Sequence, residues 1–289
     1  MSTVVHEEGF LQSFEGTRLF YEWHPALHSP WGEKPPALVI CHGLGEHQGR
    51  YARLKENVLR RGYSVLAFDQ RGHGRSEGKR GYAPGILYFV QDLLQMVQQA
   101  NSLARRRSLS VSLFGHSFGG LVAALFALQF PDRADRLILS SPAMGIQTWI
   151  PFPKQVCALA AHLWPDACLY YPIFPVFLTH DPEVRRSLAS DPLHHSKIGV
   201  KLARDMIEYG THVVDNAGKV ACPLLLLQGG RDLVVKASRS VAFFDRAASV
   251  VKLKEVYPEM YHEVLNERDC EAVYVAIDAF LGTGEGPSA

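Results

Sequence analysis

Little in this chain of 289 residues is extreme, and each shortage removes a class of protein. Cysteine is scarce. Cys41, Cys157, Cys168, Cys222 and Cys270 are odd in number, far apart and without Cys-x-x-Cys or Cys/His ligand spacing, which argues against a disulfide framework and a zinc site. Reduced, mostly buried thiols and no bound metal are expected. An excess of one charge is also lacking: 30 Lys and Arg meet 29 Asp and Glu, for a net charge of +1. The one basic run, Arg105-Arg106-Arg107, suits a helix C-terminus, where cations offset the dipole. No nucleic-acid partner is implied. No apolar run approaches the ~20 residues that span a bilayer. Met1 to Gly9 is polar and acidic, where a secretory leader needs a basic start and an apolar stretch, so a cytoplasmic location is expected. Internal repeats and low-complexity segments are missing as well.

What is present is an alternation of strands and helices, with 47% hydrophobic residues to fill a sizeable core. Gly9 to Trp23 alternates around Glu15-Gly16-Thr17 as an antiparallel hairpin at a sheet edge. Ala37–Cys41, Tyr63–Asp69, Leu109–Phe114, Leu137–Leu139, Leu224–Leu227 and Val250–Val256 are short continuous apolar runs, the signature of strands buried on both faces. Between them lie helical segments: Arg53–Arg61, Ile86–Arg107, Leu121–Phe130, Ser238–Ala248 and Arg268–Phe280. The regular texture is interrupted from Gly145 to about Gly218, where prolines at 151, 153, 165, 172, 175, 182 and 192 break up aromatic and aliphatic pieces. This reads as an insertion of short helices covering one edge of the sheet. The organisation is therefore a core of residues 1–144 and 219–289, with 145–218 as a cap whose apolar surplus packs on the body and in part lines a hydrophobic tunnel.

Chemistry concentrates where strands end. Gly115-His116-Ser117-Phe118-Gly119 joins an apolar run to a helix-forming one, the pattern of a nucleophile elbow, in which glycines leave room for a strained strand-to-helix turn that exposes the serine. A serine hydroxyl needs a base to take its proton, and that base needs a carboxylate to fix its tautomer. Asp232 follows one late strand and His262 the next, at the same edge as Ser117. Asp69 also ends a strand, but its loop precedes the nucleophile, so Asp232 is the expected acid. Of thirteen histidines, only His262 is so placed; His180 and the pair His194-His195 lie in polar stretches and are expected to be solvated. Acyl transfer passes through an oxyanion that needs preorganised donors. The backbone amides of Phe118, after the nucleophile, and Leu44, in the loop after Ala37–Cys41, can supply them.

These residues together resemble the monoacylglycerol lipase and lysophospholipase group of α/β-hydrolases over nearly the full length. The similarity rests on His42-Gly43-Leu44-Gly45-Glu46-His47-Gln48-Gly49-Arg50-Tyr51, Asp69 to Gly78, Gly115 to Gly120 and His262-Glu263-Val264-Leu265-Asn266-Glu267, with Asp181-Pro182-Glu183-Val184 and Asp191-Pro192-Leu193 in the cap. It implies an α/β-hydrolase fold: a mostly parallel eight-stranded sheet, helices on both faces and a helical cap inserted after strand 6. It further implies Ser117, Asp232 and His262 as triad, Leu44 and Phe118 as oxyanion donors, and Glu46 with Arg50 near the glycerol end of the substrate. Those two could equally be an ion pair bracing the oxyanion loop. Two residues depart from the family pattern: Phe118 stands where methionine is usual, and Arg231 precedes the acid where a small residue is common.

The resulting expectation is a cofactor-free serine hydrolase acting on monoacylglycerols or similar single-chain lipid esters through an acyl-enzyme. The cap is the surface through which transient membrane contact is expected. Rivals on the same fold are a short-chain carboxylesterase, a lysophospholipase and an aminopeptidase; the last needs a carboxylate for the free amine, for which Asp166, Asp181, Glu183 and Asp191 are candidates. A non-catalytic ligand-binding homologue is the remaining alternative. Oligomeric state is not encoded in any of these motifs.

Overall fold

A computed structural model describes residues 6–30, 35–105, 111–147, 162–164 and 166–282. Eight strands form one sheet: β1 (Glu7–Gln12), β2 (Arg18–His24), β3 (Ala37–Cys41), β4 (Ser64–Phe68), β5 (Val111–His116), β6 (Ala134–Ser140), β9 (Leu224–Gly229) and β10 (Lys252–Tyr257). Their order is β1-β2-β4-β3-β5-β6-β9-β10. The pairing is antiparallel where β2 meets β1 and β4 and parallel in every other pair, so β2 alone runs against the rest. This is the α/β-hydrolase sheet expected above.

The central strands are apolar throughout because both their faces are covered. In β3, Ala37, Val39 and Cys41 pack on one side while Leu38 and Ile40 pack on the other, the two-residue alternation of a pleated strand. The first side is covered by helices α2 (Ile86–Leu103), α3 (Ser117–Gln129), α5 (Val200–Asp215) and α6 (Ala237–Arg246), the second by α1 (Ala52–Arg60) and α7 (Glu271–Gly282). Helix α3 is buried at every residue from Phe118 to Ala127, which explains its lack of a polar face.

The edges of elements shift by a few residues from the sequence reading. Helix α2 ends at Leu103, with Arg105 in a left-handed turn at φ 51° just beyond it; Arg106 and Arg107 lie outside the described residues. The inserted region differs in kind. Beside α4 (Pro182–Ser190) and the long α5, it holds an antiparallel ribbon of β7 (Cys168–Tyr170) and β8 (Lys197–Gly199), where only short helices are expected from the sequence. The Trp149-Ile150 pair and the prolines at 151, 153 and 165 fall outside the described residues. Helix α5 packs on α3 and α6 and so joins the layer covering the sheet. Among the described residues no helix is long and apolar enough to cross a membrane, and Cys41, Cys168, Cys222 and Cys270 are free thiols.

Candidate active site

The carboxyl ends of β3, β5, β9 and β10 bring the expected residues together. Ser117 opens α3 directly from β5 and takes a left-handed φ of 52°. The turn is possible because the residues two positions away on either side, Gly115 and Gly119, have no side chains: a Cβ at Gly119 would stand 2.2 Å from the Cys41 carbonyl oxygen and 2.3 Å from that of His42. One at Gly115 would stand 2.5 Å from the Gly119 oxygen. The elbow is thereby wedged against the end of β3.

The Ser117 hydroxyl lies 2.9 Å from His262 Nε2. On its other side the imidazole meets Asp232, with Nδ1 2.8 Å from Oδ2. The carboxylate can only accept, so Nδ1 carries the proton and Nε2 is left to accept from the serine. Asp232 is fixed in turn: Oδ1 accepts from the amides of Val234 at 2.8 Å and Val235 at 2.9 Å, and Oδ2 accepts from the buried amide of Gln228 at 3.1 Å. Burial alone would raise the Asp232 pKa, but the His262 charge and hydrogen bond, with the two amides, hold it below the usual carboxylate value. Burial likewise pulls His262 down, yet the charge and hydrogen bond of Asp232, followed by the charges of Glu263 and Glu46, raise it above the ordinary imidazole value. The ring is thereby held with a proton affinity above that of a free imidazole and its Nε2 facing the serine hydroxyl.

Phe118 lies in the first turn of α3, whose amides have no partner within the helix, and its buried ring meets Phe89 edge-on at 4.9 Å. Leu44 sits in the loop after β3 and, with Ser117, on the wall of a cavity of about 260 Å³. The rest of that wall is apolar, contributed largely by the inserted region through residues such as Tyr171, Ile173, Ile198 and Met206.

Glu46 and Arg50 lie beside Leu44 but engage each other. Glu46 Oε1 accepts from the Gly43 amide at 2.5 Å and from the Tyr51 hydroxyl at 2.7 Å; Oε2 accepts from Arg50 at 2.7 Å. Arg50 also forks onto Glu263 at 2.8 and 2.7 Å. The geometry is that of a brace under the loop. Neither Glu263 nor Gln228 is singled out by the sequence: their partners are set by the fold, and Glu263 lies 213 positions from Arg50.

Two histidines of the insertion, His180 and His195, are not simply solvated. His195 is half-buried, stacks on His73 at 4.6 Å and places Nε2 3.0 Å from the Gly72 carbonyl, while its amide donates to Gly45 at 2.8 Å. His180 pairs with Glu267 at 2.9 Å and stacks on Tyr261. The polar sequence context marked surface; His195 instead packs into a seam between the insertion and loops of the core, while His180 keeps 40% of its side chain exposed at the rim of that seam.

A sheet of this order with an elbow serine, a histidine and an aspartate at its carboxyl edge defines the serine hydrolases of the α/β-hydrolase fold. The family described as serine aminopeptidase S33 matches residues 32–269, and the chain belongs to that family. It is 31% identical over 97% of its length to a monoacylglycerol lipase of Mycolicibacterium smegmatis, covering 99% of that protein. It is 29% identical to phospholipase YtpA of Bacillus subtilis, over 86% of this chain and 96% of the relative. Among solved structures, the monoacylglycerol lipase of Paleococcus ferrophilus superposes with a TM-score of 0.81 at 27% identity, over 91% of this chain and 98% of that one.

Proposed function

We propose that the protein is a carboxylic ester hydrolase that cleaves monoacylglycerols or similar single-chain lipid esters. Ser117 attacks the ester carbonyl as His262 takes its proton; Asp232 holds the imidazole and stabilises its cation. The oxyanion that forms accepts from the amides of Phe118 and Leu44, each contributing roughly 3 to 4 kcal/mol at the barrier. His262 then protonates the leaving alcohol, and water, activated by the same base, frees the acyl chain from Ser117. The residues of the insertion, 145–218, act as the cap that shelters that chain. No cofactor enters these steps.

The observation that carries the reading is the apolar cavity that has Ser117 in its wall. It also weighs against an aminopeptidase, despite the family's description. None of the four candidate carboxylates lines it. Asp181 caps α4, Asp191 pairs with His47 at 2.7 Å, Asp166 is engaged by Tyr82, and Glu183 lies at the surface near Arg186. The likeness to a phospholipase keeps lysophospholipids among substrates to compare.

Purified protein assayed on monoacylglycerols of graded length, a lysophospholipid, a short-chain ester and an aminoacyl amide is expected to prefer the monoacylglycerols. Ser117→Ala should abolish both turnover and labelling by a fluorophosphonate. Preference for the amide, or turnover by the alanine variant, would overturn the assignment. A cytoplasmic location and transient membrane contact complete the reading. The exposed Trp164, Tyr170 and Phe174 of the insertion support that contact, and lipid vesicles added to the same preparation should cosediment with it.

A further inference from the structure

Glu263 follows the base directly, and four of its bonds point away from the reacting atoms. Its amide donates to the Leu178 carbonyl of the insertion at 2.8 Å. Its carboxylate takes the Arg50 fork at 2.8 and 2.7 Å, and Oε2 also accepts from Asn266 at 2.8 Å. Arg50 passes the connection to Glu46, and Glu46 holds the Gly43 amide. The base loop and the loop carrying Leu44 are therefore joined by one continuous chain of charge-assisted bonds.

Two features make this more than an ordinary surface pair. All three side chains are nearly enclosed, with exposures of 12% for Arg50, 7% for Glu46 and 5% for Glu263. The cluster also does not balance, since two carboxylates share one guanidinium and Tyr51, whose pKa burial and Glu46 push well above its ordinary value, stays neutral. One negative charge is left over. It lies close to the chemistry, because a Cβ built on Gly43 would stand 2.6 Å from Glu46 Oε1 and 3.3 Å from the Ser117 Cβ. In a water-poor site such a charge acts on its neighbours with little screening.

We infer that Glu263 is a positioning residue: through Arg50 and Glu46 it sets the oxyanion loop against the base, and the net negative charge of the cluster it belongs to favours the imidazolium that forms as Ser117 is acylated. This rests on the reading of His262 as the base. The groups facing His262 are Asp232 from the loop after β9, His116 from the elbow, Glu263 on its own loop and Glu46 with Arg50 across from it. His116 adds no charge near neutrality, because burial and then the His262 charge hold its pKa down to about 4. His194 of the insertion, in the field of Arg50 and Glu46, is held below its ordinary value by burial.

The test is the pH dependence of kcat/KM on a monoacylglycerol for wild type, Glu263→Gln and Glu263→Asp. Activity requires the neutral base, so the acid limb marks the pKa of His262. Removing a negative charge should lower that pKa and move the limb of Glu263→Gln to lower pH by about half a unit. Its kcat should fall about tenfold with KM nearly unchanged. Glu263→Asp keeps the charge and should restore the limb to its wild-type position. Glu46→Gln removes charge from the other end of the chain and should move the limb in the same direction, which supplies the readout if Glu263→Gln does not fold. An unmoved limb in both glutamine variants, with only a lower melting temperature, would overturn the inference. A wild-type profile with no acid limb would instead remove His262 as base, and the inference with it.

Discussion

At Ser117 two requirements conflict. A left-handed φ of 52° costs a residue with a Cβ about 1 to 2 kcal/mol, but only that turn aims the hydroxyl at His262. Glycine there would relieve the strain and lose the nucleophile. Ser117→Gly is therefore expected to be inactive yet more stable, by about 1 kcal/mol after losing one hydrogen bond, which corresponds to a rise of roughly 2 to 4 °C in melting temperature. Ser117→Ala, which keeps the strain, should show no such rise. Thermal unfolding of both variants beside wild type decides it; equal melting temperatures would mean that the elbow stores no strain.

Among the elements, the β7–β8 ribbon, like the elbow, owes its placement to close backbone approach. Gly199 donates to the Gly81 carbonyl at 2.8 Å, and a Cβ at Gly81 would stand 2.0 Å from the Lys197 carbonyl oxygen. Gly81 also has a φ of 70°, so alanine there is strained twice over. Gly81→Ala should push β8 outward and carry Ile198, which lines the cavity, with it. The expected result is a loss of about tenfold in kcat/KM on long-chain monoacylglycerols, a difference of ~1.4 kcal/mol, with short-chain esters affected less. Equal losses on both would show that the ribbon does not shape the acyl site. The same ribbon shows where sequence reading stops. Ala37–Cys41 and Leu224–Leu227 were legible because strands covered on two faces must be apolar throughout, and the elbow was legible because its glycines have no substitute. Three-residue strands have no period to detect, and Cys168–Tyr170 finds its partner almost thirty residues on. The meeting of Ser117, Asp232 and His262 followed from strand ends in order, whereas the Arg50–Glu263 fork and the His195 seam depend on how distant loops meet.

At the scale of the whole molecule, neutral and largely enclosed histidines accumulate near the site, with His42, His73 and His195 packed ring against ring where the insertion meets the core and His116 beside His262 at the elbow. His42 uses both ring nitrogens, Nδ1 donating to the Gly43 carbonyl at 2.7 Å and Nε2 accepting from the Gln70 amide at 2.9 Å. A second proton would set N–H against N–H. Burial holds its pKa down to about 3, and holds His116 and His195 to about 4 and His73 well below the ordinary value. In the unfolded chain all four titrate near 6.5. Below that pH the unfolded state binds protons that the native state refuses, so stability falls as pH drops from about 6.5 toward 4, by ~1.4 kcal/mol per unit for each histidine. The depressed carboxyls of Asp232 and Glu263 add to the loss lower down, whereas Asp69 and Asp92, raised by burial, oppose it. His262, raised in the native state, adds stability that is complete once the pH is below about 6.5, so it leaves the slope beneath that pH unchanged. With a total stability of about 5 to 15 kcal/mol, acid unfolding should occur at pH values above the carboxylate range. Denaturant titrations at pH 7, 6 and 5 check this, and a flat stability over that span would contradict it. His195→Gln keeps a side chain able to reach the Gly72 carbonyl without titrating, so it should reduce the slope by roughly a fifth, His194 being the fifth imidazole held down by burial. That outcome would assign part of the acid sensitivity to the seam between the insertion and the core, since His195 is the one member of the four that the insertion contributes.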